Sequence, residues 1–173
     1  MPPKKGRTVL KDSRGQGQPA DKRVLCVSSG GGHWQQLNAL RPAWGGGAMD
    51  GGDAFYACTT PISQKKLGIA QFKQIPDCNR NTVTKIFSSI PAYVGLFRHV
   101  RPTTVISTGA LPGLFFIVMG KLTGAKTVWV ESIANSEKLS LSGTVASYVA
   151  DRFFVQAEHL ADGKRRIYAG SVL

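Results

Sequence analysis

Short apolar runs alternate with amphipathic stretches along this chain, and this alternation restricts its possible folds more than any other feature. "VLCVS" precedes a glycine-rich turn and a stretch with leucines on one side, and "TTVIS" and "TVWVE" are followed by comparable turns. Strands that are apolar throughout are typical of a parallel sheet covered by helices. The sequence therefore predicts an α/β protein with a Rossmann-like parallel sheet. The predicted strands are 23–28, 54–58, 72–75, 103–107, 127–131, 152–156 and 166–169, and the predicted helices are 33–40, 82–100, about 112–122 and 144–150.

The chain of 173 residues has the length of one domain. Residues 1–22 are rich in Pro, Gly, Gln, Lys and Arg and show no period, so we predict a disordered basic tail followed by one Rossmann-like domain over 23–173. The sequence shows neither a secretory signal nor an apolar run of 18 residues. We therefore expect a cytoplasmic protein whose contact with a membrane, if it makes one, is peripheral.

The charge balance predicts an anionic partner. Lys and Arg number 22 against 10 Asp and Glu, which gives a net charge of +12. Nucleic acid, an anionic membrane face and a phosphorylated ligand all suit such a balance. No acidic residue lies between Asp77 and Glu131, and this acid-free segment is also rich in bulky apolar residues. Either the segment lies against anionic lipid headgroups, or its helices are ordinary core helices with solvated cations.

The cysteines do not predict a metal site or a disulfide framework. Cys26, Cys58 and Cys78 are odd in number and form no CxxC pair. We expect buried free thiols in a reducing cytosol.

Ligands of parallel α/β sheets bind beyond the carboxyl ends of the strands, which directs attention to the loops 28–33, 107–112 and 131–137. In the first loop Gly30, Gly31 and Gly32 open a predicted helix, where bare N–H groups suit a phosphate or diphosphate. The dinucleotide fingerprint fails because Gln35 stands where its third glycine is needed, and neither a P-loop nor a G-x-S-x-G elbow occurs. A simple tight turn is the alternative.

Two further features make these loops a candidate site. His33 stands in the first turn of the predicted helix, where a neutral imidazole acts as a base or as a hydrogen-bond donor. Glu131 ends a strand in a chain poor in acids, and it is either a site residue or the partner of a salt bridge or helix cap. "STGALPG" resembles the first loop, and two such loops together suit a diphosphate. The candidate binding residues are Gly30, Gly31, Gly32, Ser107, Thr108, Gly109 and Ser132.

Four segments resemble one protein family in order and spacing. They are "SSGGGHWQQL", "VISTGALPG", "VWVESIANSEKLSLSGTVASYVADRFFVQ" and "IYAGSV". The family comprises the PssD-like proteins of bacterial exopolysaccharide assembly and their eukaryotic relative, the membrane-anchoring subunit of the UDP-N-acetylglucosamine transferase that builds dolichol-linked glycans. Eukaryotic relatives begin with a transmembrane helix that this sequence does not show, so we expect the bacterial type.

The resemblance implies a function for the whole domain. It implies the N-terminal half of a GT-B glycosyltransferase of the MurG type, which binds a polyprenyl-diphosphate-sugar acceptor at the inner face of the cell membrane. It also implies that a separate subunit binds the UDP-sugar, so that this chain is half of a heterodimeric hexosyltransferase, is inactive alone and binds no cofactor itself. The glycines of both loops would hold the diphosphate. His33 would activate the acceptor hydroxyl or bind phosphate, and Glu131 would orient His33 or the sugar.

Two other function classes remain as alternatives. A self-contained nucleotide-binding α/β enzyme is disfavoured by the missing fingerprints. A nucleic-acid-binding module is disfavoured because five of the twelve net charges come from residues 1–23, and because aromatic residues do not alternate with basic ones. We therefore expect no nucleic-acid partner.

Overall fold

The computed structural model describes residues 23–44, 54–78 and 84–172. Within these ranges seven parallel strands form one sheet in the order β3-β2-β1-β4-β5-β6-β7. The predicted α/β class and parallel sheet are confirmed, and each strand ends within a residue or two of its predicted bounds. The strands are β1 Val24–Ser28, β2 Ala54–Cys58, β3 Gln71–Gln74, β4 Thr104–Ser107, β5 Lys126–Val130, β6 Arg152–Val155 and β7 Arg166–Tyr168.

The helices connect successive strands. They are α1 Gly32–Ala39, α2 Gln64–Leu67, α3 Thr84–Val100, α4 Ala110–Leu122 and α5 Leu141–Val149, and short 3-10 turns lie at Arg41–Trp44, Ile133–Asn135 and Glu158–Leu160. The sequence analysis missed α2, which has only one turn. It also placed the start of α5 too late, at Thr144. The Ser140 side chain accepts a hydrogen bond from the Gly143 N–H and thereby caps α5 three residues earlier.

The sequence predicts that Pro91 kinks or splits this helix, and the structure shows that α3 continues through Pro91 without being split. Proline removes one hydrogen bond from a helix, and the acceptor that loses its donor is the carbonyl four residues earlier, on Phe87. Pro91 and Phe87 both lie on the exposed side of α3. Water can therefore solvate the freed carbonyl, and the helix continues.

Two apolar layers hold the helices to the sheet. Alternate strand residues such as Leu25 and Trp129 pack under α3, α4 and α5 on one face. Cys26 and Ile106 pack with Leu37 of α1 on the other face. Full burial of each large apolar side chain contributes about 1.5–3 kcal/mol. Each predicted free cysteine is unpaired and buried.

The acid-free segment between Asp77 and Glu131 is mainly core in its described part. Of the bulky apolar side chains described on α3 and α4, six are buried, most of the others are partly buried, and the two large exposed ones are Phe87 and Leu122. Core helices therefore account for most of this composition. The buried side chains are Tyr93, Leu96, Phe97, Val100, Phe116 and Ile117.

The strand order places the candidate loops together. β1 and β4 are neighbours at the centre of the sheet, and the chain builds outward from them in opposite directions. Their carboxyl ends therefore form the switch point at which open α/β sheets bind ligands. The predicted basic tail, residues 1–22, lies outside the described residues. None of the helices in the described ranges has both the length and the apolar character required to cross a bilayer.

Candidate functional site

Two hydrogen bonds join the β1–α1 loop to the β4–α4 loop. The ring Nδ1 of His33 lies 2.8 Å from the carbonyl oxygen of Thr108, and the Thr108 hydroxyl donates to the carbonyl oxygen of His33 at 2.7 Å. The sequence analysis predicted that both loops contribute to one site, and the structure places them in contact. Each loop thus positions the other.

The bond to Thr108 decides which tautomer the His33 ring adopts. A backbone carbonyl can only accept, so Nδ1 must carry the proton and donate it. In the neutral ring Nε2 then keeps a lone pair. Nε2 has no hydrogen-bond partner among the described residues, and the side chain is half-buried. The ring can therefore accept a proton at Nε2 without losing its anchor.

Gly109 leaves the space that the imidazole occupies. A Cβ on Gly109 would lie 2.5 Å from Cε1 and 2.6 Å from Nδ1 of His33, closer than real contacts allow. The φ of Gly109 is 132°, a backbone conformation that favours glycine. The next residue, Ala110, has a φ of 67°, which is unusual for a residue with a side chain. The chain is thus strained where α4 begins, a frequent property of functional loops.

The three glycines of the first loop differ in what they do. A Cβ on Gly30 would collide with the Thr60 side chain, whereas Gly31 and Gly32 are exposed and face open space. Gly31 has a φ of 67° and precedes α1, which has no side-chain cap and no acidic residue in its first turn. The first N–H groups of α1 therefore remain available to an anion. Gly31 and Gly32 are the positions where a ligand can approach the backbone closely.

A cavity of about 450 Å³ lies beside these loops. Thr59 and Thr60 supply hydroxyl groups to its wall, and Asp77 supplies a carboxylate. Cys78 also lines the cavity, and burial raises the pKa of its thiol, which disfavours the reactive thiolate. The full lining is Ser29, Gly30, Thr59, Thr60, Asp77, Cys78, Ala110 and Leu111.

Three predicted binding residues have side chains that are committed to the protein. Ser107 and Thr108 are fully buried, and the Ser107 hydroxyl accepts from the Gly109 N–H while that of Thr108 donates to His33. Ser132 is 4% exposed, and its hydroxyl accepts from the Gln36 side chain and the Ala134 N–H. The role of these three residues in binding a diphosphate stays a prediction. They hold the loops, and the exposed backbone is what can meet a ligand.

Glu131 is also bound internally. It is 1% exposed, and its carboxylate accepts hydrogen bonds from the Trp129 indole at 2.8 Å, the Asn135 amide at 2.8 Å and the Ser140 N–H at 3.1 Å. The catalytic role of Glu131 stays a prediction, but the His33 ring is bonded to the Thr108 carbonyl and the Glu131 carboxylate to three internal donors. The helix-cap alternative is closest, because Glu131 binds the N–H of the residue that caps α5.

Sequence analysis missed a buried amide network behind the site. Gln36 is 1% exposed and donates to the Ser132 hydroxyl at 3.0 Å, while its carbonyl oxygen accepts from Gln156 at 2.8 Å. Gln156 also donates to the Glu131 carbonyl oxygen and accepts from the Val172 N–H. The sequence feature that could have indicated this network is the position of Gln36, three residues after His33 and next to the core residue Leu37. A polar residue at such a position needs buried partners.

No metal-binding arrangement is found in the part of the chain that the structure describes. Its His, Cys, Asp and Glu side chains form no group of three or more placed to hold an ion.

Comparison with known proteins bears on both family and fold. A family model described as "Oligosaccharide biosynthesis protein Alg14 like" matches residues 63–172, which excludes the His33 loop. The UDP-N-acetylglucosamine transferase subunit ALG14 of Candida albicans is 32% identical over 90 residues, which are 49% of this chain. The chain spans only 41% of the length of that curated relative.

Solved structures share the fold at low sequence identity. MurG of Acinetobacter baumannii aligns with a TM-score of 0.64 and 14% identity, over 84% of this chain and 45% of MurG. A glycosyltransferase from Rickettsia africae aligns with a TM-score of 0.58 and 9% identity, over 86% of this chain and 43% of that chain. The fold is that of the N-terminal Rossmann-like half of a GT-B glycosyltransferase, as the family resemblance implied.

Proposed function

This chain belongs to the Alg14-like family of oligosaccharide biosynthesis proteins, and we propose that it is the acceptor-binding subunit of a two-chain, UDP-sugar-dependent hexosyltransferase. Its acceptor is a polyprenyl-diphosphate-linked sugar of lipid-linked oligosaccharide or exopolysaccharide assembly. The donor binds to a partner chain, so that this chain is inactive alone. The complex works peripherally on the cytoplasmic face of the cell membrane.

The free Nε2 of His33 is the observation that carries this proposal. The carbonyl of Thr108 holds Nδ1–H, and the exposed Gly31 and Gly32 open the uncapped start of α1 beside the ring. An acceptor diphosphate binds at these N–H groups, because the N-terminus of a helix favours an anion. The acceptor sugar then lies within reach of the imidazole.

The transfer step uses His33 as a general base. Nε2 removes the proton of the acceptor hydroxyl as its oxygen attacks the anomeric carbon of the UDP-sugar. The new carbon–oxygen bond forms while the bond from the anomeric carbon to UDP breaks, with inversion at that carbon, and UDP leaves with the bonding electrons. The imidazolium remains held by Thr108 and later releases its proton to water.

The partner chain docks on an open apolar groove of about 570 Å³ that lies next to the C-terminal end of α1. The groove lies on the α1 side of the sheet and reaches the carboxyl ends of β6 and β7, where Gln156 is shared with the amide network. A donor-binding unit seated there faces the same sheet edge as His33. The apolar lining includes Trp44, Ile106, Val128, Val130 and Phe154.

Substitution of His33 in the two-chain enzyme tests the proposed role. The chain is co-expressed with a candidate donor-binding chain from the same genome, and turnover is measured with UDP-N-acetylglucosamine and a short-chain polyprenyl-diphosphate sugar. If His33 is a general base, His33→Ala lowers kcat by about 10²–10⁴-fold. If it only binds phosphate, the acceptor KM rises and kcat is nearly kept.

His33→Asn is the matched control, because its amide nitrogen can still donate to the Thr108 carbonyl but supplies no base. A kcat equally low in both variants assigns the loss to the missing base. Unchanged kcat and KM in His33→Ala contradict the site assignment, and sugar transfer by the single chain contradicts the two-chain proposal.

A further inference from the structure

The outer face of α5 carries an apolar stripe that no described part of the protein covers. Leu141 is 64% exposed, Val145 48% and Tyr148 74%, and they follow one another at intervals of four and three residues. Such residues lie on one side of a helix. The opposite side of α5 is buried, and the helix has no charged residue of its own. This stripe holds half of the six large apolar side chains that the described residues expose.

Cationic side chains border the stripe. The Arg165 guanidinium lies 5.7 Å from the centre of the Tyr148 ring, and Lys164 next to it is exposed. Lys138 and Glu137 are exposed ahead of α5. The two acids near the far end of α5 are neutralised, since Asp151 pairs with Lys121 and Asp162 with Arg166.

We infer that the outer face of α5 docks onto an anionic lipid surface. Tyrosine and arginine beside aliphatic side chains suit the headgroup boundary, where rings and apolar tips enter the interface and cations meet lipid phosphate. A second copy of this chain is the less suitable occupant, because a two-fold contact across α5 would bring the Arg165 side chains towards each other.

The position of α5 connects this surface with the candidate site. The helix begins at the carboxyl edge of the sheet, where Glu131 binds the Ser140 N–H and contacts Gly143. A membrane in contact with α5 therefore lies along one side of the sheet, with the His33 loop at the same edge as Leu141. This inference rests on the proposed function and names the surface that brings the chain to a lipid-linked acceptor. The outer face of α5 replaces the acid-free segment as the expected membrane contact.

Vesicle binding by the full chain tests the inference without acceptor, donor or partner. Co-sedimentation uses vesicles of equal parts phosphatidylglycerol and phosphatidylcholine. The double variant Leu141→Ser/Tyr148→Ser should lower the partition coefficient at least about tenfold, because two inserted side chains are lost. Arg165→Gln should lower it about fivefold and weaken its salt dependence. All three side chains are exposed or partly exposed, and urea unfolding verifies that each variant folds.

Phe87→Ser is the matched control, because Phe87 is as exposed as Tyr148 but lies on α3. Its binding should stay within about twofold of the parent, since α3 does not enter the interface in this arrangement. The inference is overturned if Phe87→Ser loses vesicle binding while Leu141→Ser/Tyr148→Ser keeps it, or if the parent chain does not bind vesicles. It is also overturned if the parent chain is a dimer that Leu141→Ser/Tyr148→Ser dissociates. Turnover of a detergent-dissolved acceptor should be unchanged in the α5 variant, so this result and the His33 result can fail separately.

Discussion

Replacing Gly109 by alanine tests whether the contact between the two loops places the His33 ring. The added methyl group would lie 2.5 Å from Cε1 and 2.6 Å from Nδ1, whereas ordinary contacts begin at 3.4 Å. The ring must therefore retreat by about 0.9 Å, or the loop must move by a similar distance. The Nδ1–carbonyl distance of 2.8 Å has little room for such a shift before the hydrogen bond is lost.

The expected cost has two parts. Alanine in a backbone conformation reserved for glycine costs about 1–3 kcal/mol. Loss of the hydrogen bond costs about 0.5–1.5 kcal/mol more. The free energy of unfolding should therefore fall by about 1.5–4.5 kcal/mol, which leaves a domain of ordinary stability folded. A base misplaced by about 1 Å can lose about 10²-fold in rate, so kcat should fall towards that of His33→Ala.

Urea unfolding of the single chain and turnover of the two-chain enzyme measure the two effects. Gly95→Ala is the matched control, since Gly95 lies on α3 and a Cβ there meets nothing within 4 Å. That variant should keep the parent's turnover and should be no less stable. If Gly109→Ala kept both the stability and the kcat of the parent, the reasoning from this contact would be refuted.

Three further substitutions follow from the structure. Gly32→Ala should leave the free energy of unfolding unchanged or raise it by up to about 1 kcal/mol. It should also raise the acceptor KM, because the methyl group takes the space proposed for the diphosphate, and an unchanged KM contradicts this. Glu131→Gln should lower the free energy of unfolding by about 1–3 kcal/mol in urea, because an amide nitrogen then faces N–H donors, whereas a loss of kcat at full stability would indicate substrate contact instead. Hydrogen bonds from Lys121 and Thr127 lower the pKa of Asp151 below its usual 3.8. As pH falls, the Asp151 carboxyl takes up its proton in the unfolded chain first, so the stabilisation from its hydrogen bonds is present above about pH 4 and is lost as pH falls below 3.8. Acid unfolding of Asp151→Asn should therefore lack that part of the pH dependence.

The sheet and the position of the site were predictable because each rests on a local pattern and one topological rule. Apolar runs bounded by glycine and serine marked the strands, and ligands of parallel sheets bind at strand carboxyl ends. Those two facts were enough to select the loops that contain His33 and Gly109. The link between them, from Nδ1 to the Thr108 carbonyl, joins residues 75 positions apart, and no pattern in the sequence specifies it.

The direction of the loop side chains was the harder question, although strand alternation held part of the answer. Side chains two residues apart in a strand share a face. Trp129 is buried under the helices, so Glu131 continues on that side and meets the Trp129 indole rather than the cleft. Ser107 follows Val105 in the same way, and a Cβ on Gly113 would collide with its hydroxyl. The alternation thus distinguishes loop residues whose side chains point into the core under the helices from those whose side chains point to the cleft.

Judged by residue size alone, the buried side of α5 would be predicted to be the side that the structure exposes. The reason for the difference is the position of Glu131 beneath the helix. The larger residues Leu141, Val145 and Tyr148 would be expected in the core, yet the small residues Ser142, Gly143 and Ala146 are buried instead. A Cβ on Gly143 would collide with the Glu131 carboxylate, so only a helix with small residues on its inner face can come close enough for the Ser140 N–H to donate to this buried acid. The close approach leaves no space for large side chains beneath the helix, and the apolar stripe must therefore point outward. The buried carboxylate that anchors α5 beside the site is thus also the reason that α5 presents an apolar face to its surroundings.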